Sequence, residues 1–352
     1  MQQIVDTFRE RVHAAARENK PLRIRGGGSK DWYGGLLEGE LLDTRAYAGI
    51  VDYEPTELVL TARCGTPLAA IEAVLAERGQ MLAFEPPHFG AAATIGGAIA
   101  SGLSGPRRAS SGALRDFVLG ATILDGKGDV LRFGGRVMKN VAGYDVSRLL
   151  AGSLGTLGLL LEVSVKVLPR AAGETTLRFA LDQAGALRTL NEWAGRPLPL
   201  SGSCWHDGVL SLRLSGARAA VEDARRTLGG ELLADCAPFW DSLREQRHAF
   251  FGGDEALWRL SVPSTAGPIA PGAGQLIEWG GAQRWLRAPG DPDTAARIRA
   301  AALAAGGHAT LFRGGDKSVG VFQPLAPALA RIHERLKAGF DPANIFNPGR
   351  MF

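Results

Sequence analysis

Three glycine-rich stretches hold most of the chemistry this sequence can offer. The first is Arg25-Gly26-Gly27-Gly28-Ser29-Lys30. Successive glycines let the backbone approach an oxyanion, because no Cβ stands in the way. Amides that point inward together form an anion nest, and Lys30 adds charge. A glycine run also serves as a plain turn, and this one lacks both the GK[ST] of a nucleotide-hydrolysing loop and the GxGxxG fingerprint. The second stretch, Thr94-Ile95-Gly96-Gly97-Ala98-Ile99-Ala100-Ser101-Gly102, follows Pro86-Pro87-His88. Small residues dominate positions 90–105, so this backbone can lie flat against a large planar or phosphorylated ligand; the alternative is a mobile loop. In the third, Gly155, Thr156 and Gly158 open a strand whose first amides can face a ring system.

The elements around these stretches follow from periodicity. Ile4, Val5, Phe8 and Val12 recur at helical spacing and predict a helix over residues 2–18. Leu22 to Arg25 reads as a short strand running into the first glycine loop, and Glu57 to Arg63 as another. Thr66 is placed to cap a helix with Pro67 at its first position and Gly79 after its end. Phe117–Leu124 and Asp129–Phe133 read as strands joined by the hairpin connection Asp125-Gly126-Lys127-Gly128. Glu162 to Val167 alternates strictly, which predicts a half-buried strand stopped by Pro169. A last helix carries Leu329, Ile332 and Leu336 and ends at Gly339.

The 352 residues suffice for two domains. From Ala171 to Ser318 the glycine clusters thin out and six of the seven tryptophans appear, which marks a second domain. The net charge of +4 is spread along the chain, against the clustered basic face that nucleic acid requires. Three cysteines without CxxC spacing point to a reducing compartment, with neither disulfides nor an iron–sulfur cluster in this chain. The expectation is a cytoplasmic protein, with no transmembrane segment and an N-terminal amphipathic helix in place of a signal peptide. Any attachment to the inner membrane would run through partners.

The ordered motifs RGGGS, PPH…TIGGAIASG, LRDFVLG, RVMKNVAGYD, GSLGTLG and DPxxIFNPGR resemble the FAD-binding domain of the vanillyl-alcohol oxidase and p-cresol methylhydroxylase family. The middle and end are most similar to its D-2-hydroxyacid dehydrogenase branch. The stretch from Arg136 to Val163, with the short length, resembles the FAD-binding subunits of bacterial glycolate oxidases. The match covers about residues 20–170 and 338–352.

The resemblance implies an α+β fold: a PCMH-type FAD-binding domain of two α/β subdomains over residues 1–170, a smaller α+β cap with an antiparallel sheet over 171–322, and a C-terminal segment, 323–352, that returns to the first domain. It implies that FAD is the cofactor. Arg25, Gly26, Gly27, Gly28, Ser29 and Lys30 would hold the pyrophosphate. Thr94, Ile95, Gly96, Gly97, Ile99, Ala100, Ser101 and Gly102 would run along the pyrophosphate and flavin, with Pro87 just upstream. Asp116, Val118, Gly155, Thr156, Gly158 and Val163 would reach the adenosine and ring portions, and Asn347 and Pro348 would lie near the isoalloxazine. Some members attach FAD covalently; His88 stands at such a place, and equally can pack without a link. Lys139, Asn140, Tyr144 and Asp145 form a polar set that is either a capped loop or a border of the flavin or a partner.

The sequence departs from the family in the cap. Larger relatives carry a histidine-rich metal motif there, whereas Gly307 to Asp316 holds one histidine, so the ligand count predicts no metal site. His308 has the right ordinary pKa to take a hydroxyl proton, and Arg313 can fork onto a carboxylate; both also suit surface roles. The expected function is FAD-dependent oxidation of glycolate, or another small 2-hydroxyacid, to the 2-oxoacid. Electrons would pass to a partner within a complex that holds a catalytic FAD subunit and an iron–sulfur subunit. The alternative is a non-catalytic electron-relay or assembly subunit beside a catalytic sister. A reductase of cell-wall sugar precursors keeps the fold, but no substrate signature supports it.

Overall fold

The computed structural model describes residues 1–135, 145–269 and 274–351. Most of RVMKNVAGYD, including Lys139, Asn140 and Tyr144, lies outside the described residues. The chain divides into two compact units: Met1–Leu103 with Ala113–Pro169 and Pro324–Phe352, and Ser104–Gly112 with Arg170–Gln323.

The first unit begins with helix α1 (Gln2–Glu18), which buries Val5, Phe8, Val12 and Ala15. That spacing puts one apolar stripe on the core, and Asn19 closes the helix in the left-handed conformation. Strands β1 (Leu22–Arg25) and β2 (Glu40–Asp43) pair in parallel. Strands β3 (Ile50–Glu54) and β4 (Val59–Arg63) lead to helix α2 (Leu68–Glu77), the short strand β5 (Gln80–Met81) and helix α3 (Ile95–Ser101). Strands β6 (Val118–Leu124), β7 (Val130–Gly134), β8 (Leu159–Lys166) and β9 (Leu168–Pro169) follow. Five of these form an antiparallel sheet in the order β3-β4-β8-β6-β7, and β5 pairs with β9.

One local expectation needed correction. Pro67, not Thr66, is the residue that precedes α2. The Thr66 hydroxyl instead accepts from Gly49 N and donates to the carbonyl of Arg63, which ties the turn to the start of β3. Strand β8 has the two faces its alternation predicts: Val163 and Val165 enter the core, and on the opposite face Glu162 and Lys166 are half-buried while Ser164 is buried through its hydroxyl contact with Thr61 at 2.8 Å. The hairpin forms as its sequence suggests, with Asp125 Oδ1 accepting from both Lys127 N and Asp129 N.

Among the described residues of the second unit, strands β10 (Gly173–Ala180), β11 (Leu200–His206), β12 (Val209–Gly216), β13 (Glu231–Leu232), β14 (Leu257–Ser261), β15 (Gln275–Glu278), β16 (Gln283–Arg287) and β17 (His308–Arg313) build one antiparallel sheet. Its order is β13-β10-β12-β11-β15-β16-β14-β17. Helices Gln183–Ala194 and Arg218–Leu228 cover Leu177, Leu210, Leu212 and Leu214, and helix Pro292–Ala304 covers Trp258, Leu260, Leu286 and Leu311. The tryptophans of this unit are largely core: Trp193, Trp240, Trp258, Trp279 and Trp285 are all buried. The indole N–H groups of Trp205, Trp240, Trp258, Trp279 and Trp285 are spent inside the unit, on Leu181 O, Thr176 Oγ1, Pro289 O, Gly105 O and Glu278 Oε2. The bond from Trp279, with Arg107 on Glu174 and Ser110 on Ser201 O, explains why residues 104–112 belong to this unit.

Candidate functional site

An open cleft lies on the first unit, over the first glycine stretch. Strand β1 delivers the chain to Arg25, and the loop then turns against the segment before α3. A Cβ on Gly27 would stand 1.5 Å from the carbonyl oxygen of Ala92, so only glycine permits this approach. Gly28 adopts φ +72°, in the left-handed region that glycine favours, above the Arg25 guanidinium. Arg25 pairs with Asp31 at 2.8 Å. Lys30 Nζ donates to the carbonyl of His88 at 3.2 Å and lies 5.6 Å from the Phe89 ring centroid.

The opposite wall is α3. The Thr94 hydroxyl caps it by accepting from Gly97 N at 3.2 Å. Thr94, Gly97, Ala100 and Ser101 face the cleft, whereas Ile95 and Ile99 are fully buried. Gly96 lies against Cys64, and its N–H donates to the Cys64 carbonyl at 2.9 Å. Burial pushes the Cys64 thiol up to about 12, which removes it as a nucleophile. The end of α3 receives the third glycine stretch: Gly152 N donates to Ile99 O and Leu154 N to Ala100 O. Leu154, Ile24 and Leu37 give the cleft an apolar side.

The cleft thus gathers Arg25, Gly26, Gly27, Gly28, Ser29, Lys30, Thr94, Gly97, Ala100, Ser101 and Asn347. Ile95, Gly96, Ile99 and Gly102 stand just behind or beyond its α3 wall. Gly155 and Thr156 sit in the adjoining turn, with Gly155 against Asn347 Nδ2 and the Thr156 hydroxyl on Ser153 O. The other expected residues fall elsewhere. Val118 and Val163 are packed in the core of the sheet. Asp116 accepts from Ala113 N in a 3-10 turn, Gly158 lies beside Leu124 O, Pro87 is buried, and Pro348 is half-buried beyond Asn347. His88 is 3.2 Å from Glu72 through Nε2.

Sequence reasoning missed Ile24, Asp31, Leu37, Leu154 and Arg350, which also line the cleft. Only Arg350 had a signal, as the last residue of the NPGR motif. It is buried, which holds its guanidinium below the usual range while Asp31 opposes that shift. The donor set suits a flavin dinucleotide: the glycine-lined floor, with Arg25, Lys30 and Arg350 against one carboxylate, matches a diphosphate, and the apolar side matches a ring or ribityl chain. Residues Arg25 to Lys30 would hold such a group, with α3 along it.

In the second unit, His308 and Arg313 stand at opposite ends of β17, about 16 Å apart at a rise of about 3.3 Å per residue. Desolvation by its surroundings and then the charge of Arg259 hold the His308 imidazole below its ordinary value, although the residue is exposed at the strand end. Arg313 donates to Gln246 Oε1 at 2.7 Å, and burial, then Arg287, lower its pKa. No group of three or more His, Cys, Asp or Glu able to hold a metal occurs among the described residues.

Residues 4–134 match the family described as FAD binding domain. The chain is 50% identical to glycolate oxidase subunit GlcE of Escherichia coli K12 over 343 residues, which is 97% of this chain and 96% of that one. It is 37% identical to glycolate oxidase subunit GlcD of Bacillus subtilis 168 over 119 residues, 34% of this chain and 25% of the relative. It is 30% identical to D-lactate dehydrogenase of Archaeoglobus fulgidus over 192 residues, 53% and 42% of the two chains. Among solved structures, alkyldihydroxyacetonephosphate synthase superposes with a TM-score of 0.65 over 97% of this chain and 73% of that one; at 16% identity it speaks to the fold alone. No helix among the described residues is long and apolar enough to cross a membrane.

Proposed function

The chain belongs to the family of glycolate oxidase subunit GlcE, and on that premise we propose that it is the FAD-binding subunit of a complex that oxidises glycolate, or a closely related 2-hydroxyacid, to the 2-oxoacid. The observation that carries this reading is the cleft itself, where a glycine floor, three cations and an apolar wall converge on one unit. When bound, FAD supplies the two-electron acceptor for the hydrogen on the hydroxyl-bearing carbon. The loop amides of Gly26 to Ser29, with Arg25 and Lys30, would hold and orient its diphosphate. Ile24, Leu37 and Leu154 exclude water from the apolar side. His308, at the end of β17, would accept the hydroxyl proton on an imidazole nitrogen. Electrons leave to partner subunits, one of them an iron–sulfur protein.

The distance between His308 and Arg313 favours a second reading for this subunit. A two-carbon acid cannot touch both ends of β17, so these residues do not together form a base and carboxylate site. A relay or assembly role beside a catalytic FAD subunit fits that separation. Anaerobic reconstitution decides between the two. If the isolated chain, loaded with FAD, is bleached by glycolate or D-lactate, it performs the oxidation itself. If it binds FAD and stays yellow until the partner subunits are added, it is a relay.

A further inference from the structure

The glycine loop is held from outside at both ends, and in each case by the C-terminal segment. At its entry, Ile24 N donates to Asn347 Oδ1 at 2.8 Å. The same carboxamide donates through Nδ2 to Leu154 O at 2.7 Å, so one side chain spans β1 and the turn that carries Gly155. The backbone reinforces this: Leu22 N donates to Ile345 O at 2.7 Å, and Asn347 N to Leu22 O at 3.0 Å. At the loop exit, Arg350 Nη1 donates to Asp31 O at 3.1 Å and to Gly35 O at 2.7 Å, and Gly35 N returns a bond to Arg350 O at 2.9 Å. Asn347 and Arg350 are 5% and 6% exposed, which places these bonds where water cannot replace them. Asn347 takes φ +43°, a conformation that asparagine tolerates better than most residues.

We propose that Asn347 and Arg350 are positioning residues that fix the two ends of the glycine loop, so that the C-terminal segment sets the shape of the cofactor cleft. This rests on the reading that the cleft takes FAD. An oxygen lone pair and an N–H of Asn347 are spent on backbone groups, so the residue acts through the strand and turn it spans. Arg350 likewise spends Nη1 on carbonyls that follow the loop.

The test is calorimetric titration of the full chain with FAD and, separately, with ADP, for wild type and for Asn347→Ala, Asn347→Asp, Arg350→Ala and Arg350→Lys, each checked for native circular dichroism under assay conditions. The aspartate variant keeps an acceptor for Ile24 and sets an oxygen against the Leu154 carbonyl. Both affinities should fall together, by about tenfold or more in the alanine and aspartate variants, with partial recovery in the lysine variant. Affinities that stay at wild type while the unfolding midpoint drops would overturn the proposal, because the residues would then serve stability alone. Loss for FAD with ADP unchanged would also overturn it, by assigning them a direct contact to the flavin half. A wild-type chain that takes up neither ligand would overturn the cofactor reading, and this proposal with it.

Discussion

Lys337 donates through Nζ to the carbonyl oxygen of Thr156 at 2.7 Å, across 181 positions of sequence. The same ammonium reaches Asp341 Oδ2 at 2.5 Å and Phe346 O at 2.9 Å. Asp341, whose side chain is fully buried, accepts in turn from Ile345 N and Phe346 N. One cation thus joins the C-terminal helix, the tail after it and the turn of the third glycine stretch. Burial pulls the Lys337 pKa down although Asp341 opposes it. Replacing Lys337 by Met leaves a buried carboxylate without its cation, and the expected cost is about 3–5 kcal/mol. Urea unfolding monitored by circular dichroism measures it; a loss below about 1 kcal/mol would mean the pair behaves as a surface ion pair.

Gly27→Val tests the loop from the steric side. Its Cβ would fall 1.5 Å from the Ala92 carbonyl, so the loop must leave its place against the segment before α3. FAD affinity should drop by about 100-fold or more, since a displacement of about 1 Å in a positioned site costs that much. Fluorescence titration with FAD checks this. Near-native affinity in a folded variant would show that the loop does not hold the ligand.

The local parts of this arrangement were legible in the sequence. Helical spacing of Val5, Phe8 and Val12, the glycine run at 26–28 and the turn residues at 125–128 each express a rule that acts over a few positions. What could not be read are relationships that span the chain. Arg350 and Leu154 enter the cleft only because the tail and the third glycine stretch dock beside β1 and α3. Residues 104–112 leave the first unit because Trp279, far along the chain, takes the Gly105 carbonyl. Thr66 has the composition of a cap, but its hydroxyl oxygen accepts from Gly49 N instead of a helix amide. Val118 and Val163 belong to a motif that resembles a binding segment, yet their side chains are needed by the core.

A pH effect should appear in the second unit. His206 and His248 stack edge to face at 5.3 Å, with Phe250 and Phe239 around them. Burial lowers both from their ordinary 6.5, Asp207 partly opposes this at His206, and His206 lowers His248 further. The unfolded chain therefore binds more protons between the lowered values and 6.5, so stability rises with pH through that window and is lost as pH falls through it. His248→Gln should flatten the acid limb of a melting-temperature profile between about pH 5 and 7. An unchanged limb would place the acid sensitivity elsewhere.

His308→Gln addresses the chemistry. If this subunit performs the oxidation with His308 as base, turnover in the assembled complex should fall by at least about 100-fold, while FAD content stays at wild type. Wild-type turnover would remove His308 from the mechanism and favour the relay reading.

The most direct measurement of the central claim is an equilibrium FAD titration of the apo chain, wild type beside Gly97→Val. Gly97 faces the cleft, and the nearest neighbour of its Cβ would be Thr94 Oγ1 at 3.3 Å, so valine projects into the cleft and the Thr94 cap must give by a few tenths of an ångström. The account predicts saturable binding of one FAD by the wild-type chain, and loss of that binding in a Gly97→Val chain that melts as the wild type does. Absence of FAD binding by the wild type, or binding by the folded variant as tight as by the wild type, would contradict it.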